Sequence, residues 1–136
     1  MNRVIEWSES GITYEADQRH SDIIINLLGL DSVGSKSVNT PGEKSTNNGE
    51  EVLLDAGDAT LYRAIVARAN YLAQDRSDIM FAVKELTRHM SVPTEEDWKR
   101  LKRLGRYLIG TPRVVLDFGY QQRYKHVDIW TDSDWA

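Results

Sequence analysis

The sequence predicts an α+β fold, mainly helical, and three observations predict it. Apolar residues alternate around a turn near the N-terminus, apolar stripes recur at helical spacing from about residue 58 to 110, and two further alternating runs follow a Gly-Thr-Pro stop. The expected architecture is an N-terminal β-hairpin, a three-helix bundle and a C-terminal β-hairpin. No segment repeats at a fixed period, which excludes solenoids and propellers.

Residues 3–7 and 12–16 alternate around Ser8-Glu9-Ser10-Gly11, where a turn-permitting glycine closes the hairpin. Asp17 is the expected N-cap of a short helix that ends at Gly29, with Ile23, Ile24, Leu27 and Leu28 along its apolar side. Residues 31–57 read as a long mobile linker, because Ser, Asn, Lys and Gly collect around Thr40-Pro41-Gly42 and Asn47-Asn48-Gly49 without any apolar period. The first bundle helix, from about residue 58 to 73, carries Leu61, Ile65, Val66, Ala69 and Leu72. The second, from about 77 to 91, carries Ile79, Val83, Leu86 and Met90, and Pro93 separates it from the third. Thr94 caps that third helix, and Glu95, Glu96 and Asp97 complement the helix dipole in its first turn. Gly110-Thr111-Pro112 stops it, and residues 114–120 and 127–132 form the expected C-terminal hairpin.

The 136 residues include 17 Lys+Arg, 21 Asp+Glu and no cysteine, so disulfide frameworks, thiolate zinc sites and thiol nucleophiles are excluded. No apolar run approaches the roughly 18 residues of a membrane span, and no signal sequence follows Met1, so an intracellular protein that is not secreted, cytoplasmic or nuclear, is expected. The net charge of −4 hides an asymmetry: residues 1–57 carry 4 basic and 10 acidic side chains, whereas residues 58–112 carry 10 basic and 7 acidic ones.

The positive charge concentrates on the third bundle helix. Lys99, Lys102, Arg103 and Arg106 recur at three- and four-residue spacing, while Trp98, Leu101, Leu104, Tyr107 and Leu108 supply the buried side. From Lys99 to Arg106 the helix rises roughly 10 Å, a reach suited to one or two backbone phosphates of a nucleic acid. By pattern alone the same cations also read as a solvated face balanced by Glu95, Glu96 and Asp97. Near the C-terminus, Asp132 and Asp134 lie close together after a strand, where they can share a metal ion if other carboxylates join them; an Asp-Ser-Asp turn is the plainer reading. His20, His89 and His126 have no partner at metal-ligand spacing and read as surface or capping residues. Phosphate-binding glycine loops, Gly-x-Ser-x-Gly elbows and His-Glu-x-x-His helices are absent.

Five blocks occur in order: Leu61-Tyr62-Arg63-Ala64-Ile65-Val66, Tyr71-Leu72-Ala73, Arg76-Ser77-Asp78-Ile79 with the residues to Val83, the run from Trp98 to Thr111, and Thr131-Asp132-Ser133-Asp134-Trp135-Ala136. Together they resemble the Pol polyprotein of Ty1/copia-type retrotransposons, at the end of the reverse transcriptase running into the start of ribonuclease H. The departures are modest: Ser77 stands where the family usually has proline, Thr131 where it usually has serine, and Ser133 where it usually has alanine.

The resemblance implies a primer-side hairpin and helix over residues 1–30, a linker over 31–57, a thumb-like helical region over 58–112, and the first strands of a truncated ribonuclease H-like sheet over 113–136. It implies a partner for Lys99, Lys102, Arg103 and Arg106, a template–primer duplex of RNA and DNA held without base reading, and a second partner in the remainder of the polyprotein. It assigns Asp132 to the first Mg²⁺-binding carboxylate of ribonuclease H. The family's Tyr-x-Asp-Asp polymerase turn is absent and the chain stops before the other ribonuclease H carboxylates, so the expectation is duplex holding rather than catalysis, with no cofactor in the fragment and Mg²⁺ only in the full-length parent. A helical protein-interaction adaptor, or a decayed retroelement fragment without activity, is the alternative.

Overall fold

In a computed structural model, residues 3–31, 34–43, 52–122 and 126–132 are described. The N-terminal alternation folds as expected, with β1 (Val4–Ser8) antiparallel to β2 (Gly11–Glu15) and Ser8 facing Gly11 across the turn. Gly11 has φ +146°, and a Cβ at this position would run into the Phe118 carbonyl oxygen, so both backbone conformation and space demand glycine.

That carbonyl belongs to β3 (Val115–Gly119), which corrects the expected C-terminal hairpin. β3 does not pair with residues 127–132; it lies antiparallel to β2 and completes a sheet of order β1-β2-β3. The described residues 126–132 form no strand and are exposed. Alternation specifies a strand and its faces but not its partner. The open edge of β2 sets Ile12 opposite Phe118 and Tyr14 opposite Leu116, apolar cross-strand pairs. Glu15 fixes the register from the side, because Arg113, just before β3, donates to both of its carboxylate oxygens at 2.8 and 2.7 Å.

Helix α1 (Arg19–Leu27) begins at Gln18, not Asp17. Asp17 instead accepts from the Arg19 backbone N–H and pairs with the Arg19 guanidinium. Its end is a Schellman turn on Gly29 (φ +64°): the Leu30 N–H bonds the Ile25 carbonyl and the Gly29 N–H bonds that of Asn26. Ser21, Ile24 and Leu28 form the buried face, whereas Ile23 and Leu27 are exposed, so the stripe is narrower and rotated from the expected one.

The bundle comprises α2 (Ala56–Ala73), α3 (Ser77–Arg88) and α4 (Glu95–Gly110). Asp55 caps α2 by accepting from the Asp58 N–H. The core is built from the expected stripes, Ile65, Val66, Ala69 and Leu72 against Ile79, Val83 and Leu86, and Leu101, Leu104 and Leu108, closed by Ile24 and Leu28 of α1. Tyr62, not foreseen as core, is fully buried and donates to the Leu86 carbonyl at 2.9 Å, and burial pushes its phenol above its usual range. No residue of the three strands belongs to this cluster. Among the described residues, no helix is long and apolar enough to cross a membrane.

Among the described residues the largest fully buried side chain is a cation, Arg76, only 2% exposed at the start of α3. Its Nε and Nη2 donate to the two oxygens of Asp78 at 2.9 and 2.7 Å; Nη2 also reaches the Thr111 carbonyl at 3.0 Å and Nη1 the Pro112 carbonyl at 3.3 Å. Tyr107 donates to Asp78 at 3.0 Å. Burial would raise the Asp78 carboxyl, but the Arg76 and Tyr107 bonds outweigh it and hold the group low. The guanidinium thus ties the start of α3 to the carbonyls that follow α4, groups the helix itself leaves unpaired.

Three outcomes are expected. Asp78→Ala strands the Arg76 charge in the interior and should lower unfolding stability by about 3–5 kcal/mol in urea titration. Ser77→Pro should raise it by about 0.4–1 kcal/mol, because Ser77 is the first residue of α3, where a proline's missing N–H and fixed φ suit the helix. Glu15, held at about 2 by hydrogen bonds from Arg113 and Gln18, is depressed from its ordinary 4.5. Its stabilisation is therefore complete above about pH 4.5 and is lost as pH falls toward 2, so Glu15→Gln should flatten the acid limb of the stability profile across that window.

Candidate nucleic-acid interface

The basic face stands on a well-anchored helix. Thr94 and Asp97 form a capping box at the start of α4: the Asp97 N–H bonds Thr94 Oγ1 at 3.3 Å, and Asp97 Oδ2 accepts from the Thr94 N–H at 3.0 Å. Asp97 is consequently 2% exposed, contacting His89 Nδ1 and Arg100 Nη1 from within the cap. One of the three acids expected to balance the surface cations is thus buried as a structural group. Glu96 remains beside Lys99, as an exposed pair at 3.4 Å that contributes little.

The four cations singled out in the sequence share this helix but not one environment. Lys99 is exposed, and Lys102, also exposed, lies 5.9 Å over the ring of the partly buried Trp98. Arg103 Nη1 pairs with Glu43 at 2.9 Å, and its Nη2 donates to Thr40 Oγ1 at 2.8 Å. Arg106 Nε donates to the Lys36 carbonyl at 2.9 Å. Residues 34–43, within the expected linker, therefore cross the α4 surface at Arg103 and Arg106. Val38 packs on the core edge, and Ser37 lies against Gly110, where a Cβ would come within 2.9 Å of Ser37 Cβ. Sequence reasoning missed this contact because it uses a lone valine, one backbone carbonyl and scattered polar side chains, which leave no period to read.

Residues 41–43 also wall a groove of about 690 Å³ against α3 and α4, lined by Phe81, Ala82, Leu86, Arg100 and Arg103. Phe81 stands 74% exposed on its rim.

Asp132 is exposed and lies outside any strand; Asp134 falls outside the described residues. No group of three or more His, Asp or Glu able to hold a metal ion occurs among the described residues. His20 stacks at a tilt 4.9 Å from Tyr71, His89 ends α3, and His126 lies 3.5 Å from Asp128.

The chain has relatives among retrotransposon polyproteins. It is 40% identical over 79 residues to the retrovirus-related Pol polyprotein from transposon RE2 of Arabidopsis thaliana, covering 58% of this chain and 5% of that one. It is 37% identical over 114 residues to the corresponding polyprotein from transposon RE1 of the same plant, covering 83% of this chain and 8% of that one. An uncharacterized mitochondrial protein of Arabidopsis thaliana is 30% identical over 132 residues, 97% of this chain and 53% of its own length. The chain thus spans less than a tenth of either polyprotein and about half of the mitochondrial protein. No protein-family model and no solved structure matches it. The resemblance of the five sequence blocks to a retrotransposon Pol polyprotein is borne out, since two of these three homologues are retrovirus-related Pol polyproteins.

Proposed function

We propose that this chain, a relative of retrotransposon Pol polyproteins, is a segment of an RNA-directed DNA polymerase with ribonuclease H, and that it holds the template–primer duplex along α4. The carrying observation is the basic face itself. Lys99, Lys102, Arg103 and Arg106 project from one capped helix whose opposite side is core, and Asp97 is withdrawn from that surface into the cap. Cations spaced this way meet backbone phosphates and read no sequence, which is what holding a duplex of any sequence requires.

On this reading residues 56–110 play the thumb and the N-terminal hairpin steadies the primer end. Asp132 keeps its assigned place as a ribonuclease H carboxylate of the parent, where Mg²⁺ would supply the Lewis acid for phosphodiester hydrolysis. This chain's own residues hold and position; the carboxylates that would complete such a site come from elsewhere in the polyprotein. A helical adaptor is the second reading, favoured by one observation, the exposed Phe81 on the rim of the groove between α3 and α4.

Fluorescence anisotropy of a labelled RNA·DNA hybrid, titrated with the chain across a salt series, separates the two. Binding should weaken steeply with salt, and replacing Lys99, Lys102, Arg103 and Arg106 by Ala should reduce the log–log slope by about 1 for each phosphate that is no longer neutralised. A variant that keeps its helical circular dichroism and its full slope would sink the interface, and absence of hybrid binding at low salt would favour the adaptor.

A further inference from the structure

We propose that residues 34–43 are a latch over the basic face of α4, competing with a phosphodiester backbone for Arg103 and displaced when that backbone binds. The inference rests on the reading of α4 as a phosphate-binding face and adds its regulation. Both terminal nitrogens of Arg103 are occupied by the latch, Nη1 by the Glu43 carboxylate and Nη2 by the Thr40 hydroxyl. A carboxylate and a phosphate present the same acceptor geometry to a guanidinium, so Glu43 holds the place a phosphate oxygen would take. Arg103 Nε is buried without a hydrogen-bond partner among the described residues. Departure of the latch opens that donor, letting Nε and a terminal nitrogen grip one phosphate together.

The latch is also built to leave. Glu43 is 58% exposed, so its ion pair with Arg103 is weak and exchangeable. Between residues 34 and 43 only Val38 packs on the core cluster, the remaining grip being Ser37 against Gly110, Gly42 near Ala82, and the exposed bonds of Arg103 and Arg106 to Thr40, Glu43 and the Lys36 carbonyl. Few buried apolar groups and exposed polar bonds place a segment at the low end of local stability. Lys99 and Lys102 lie outside its reach and remain to make the first electrostatic contact.

Two perturbations of the full chain test this with an RNA·DNA hybrid as probe. Glu43→Gln removes the competing charge and should tighten binding about two- to fivefold, the worth of one exposed ion pair, while steepening the salt slope by up to about 1. Gly42→Cys with Ala82→Cys should lock the latch down. The chain has no cysteine of its own, and a Cβ at residue 42 would lie 3.4 Å from that of Ala82, close to disulfide geometry. The oxidised form should bind more weakly, with a shallower slope, and reduction should restore both. If the wild type binds with a salt slope that Arg103→Ala lowers, yet Glu43→Gln and the oxidised lock change nothing, the latch is wrong and the α4 interface stands. If no form binds the hybrid, the interface reading fails and the latch fails with it.

Discussion

A single buried guanidinium holds the ends of two helices in register. Arg76 starts α3, grips Asp78 in the first turn of the same helix, and reaches across to the carbonyls of Thr111 and Pro112 where α4 has ended. Charge buried this way is stabilising only while every partner stays in place. Here Asp78 also takes the Tyr107 hydroxyl from within α4. The neighbouring Asp75 accepts from Tyr14 of β2 and from Arg3, so Asp75, Arg76 and Asp78 at the α2–α3 corner connect the sheet, α3 and the end of α4. The direction in which the chain leaves α4, and hence where Arg113 meets Glu15 and β3 joins the sheet, follows from this corner.

Much of this was legible in the sequence, for physical reasons that differ by element. The bundle stripes were readable because each helix buries one face and repeats it; the Thr94 cap and the Gly-Thr-Pro stop were readable because helix ends need particular side chains. Three features were not. Tyr62 is core because its hydroxyl finds the Leu86 carbonyl, a partner 24 residues away that no local pattern names. The burial of the Arg76–Asp78 pair has no local signal, since it depends on carbonyls brought from residues 111 and 112. The pairing of β3 with β2 instead of 127–132 depends on which strand edge is open, a property of the assembled chain.

The candidate interface was legible to the same degree. Its four cations were picked out by spacing, and the structure sets them on one helix, but spacing carries no information about who else touches them. Asp97 counted as a surface acid in the sequence and is a buried cap in the fold, in contact with His89 and Arg100 and not with the four cations. Residues 34–43 act the other way, occupying Arg103 and Arg106 from a segment that reads as linker. Charge on a helix face is thus a property of the folded neighbours as much as of the helix.

The attachment of the sheet differs in kind from that of the helices. No strand residue enters the apolar cluster, and among the described residues the ties from the sheet side to the α2–α3 corner are polar, Arg3 and Tyr14 to Asp75, while Glu15 to Arg113 ties β2 to the residues that lead into β3. Helix–helix packing removes apolar surface from water and so carries a large heat-capacity change, whereas a seam of ion pairs carries little. The two halves of the molecule therefore answer to different solvent variables, the bundle to temperature and denaturant, the sheet's seam to protons and counterions.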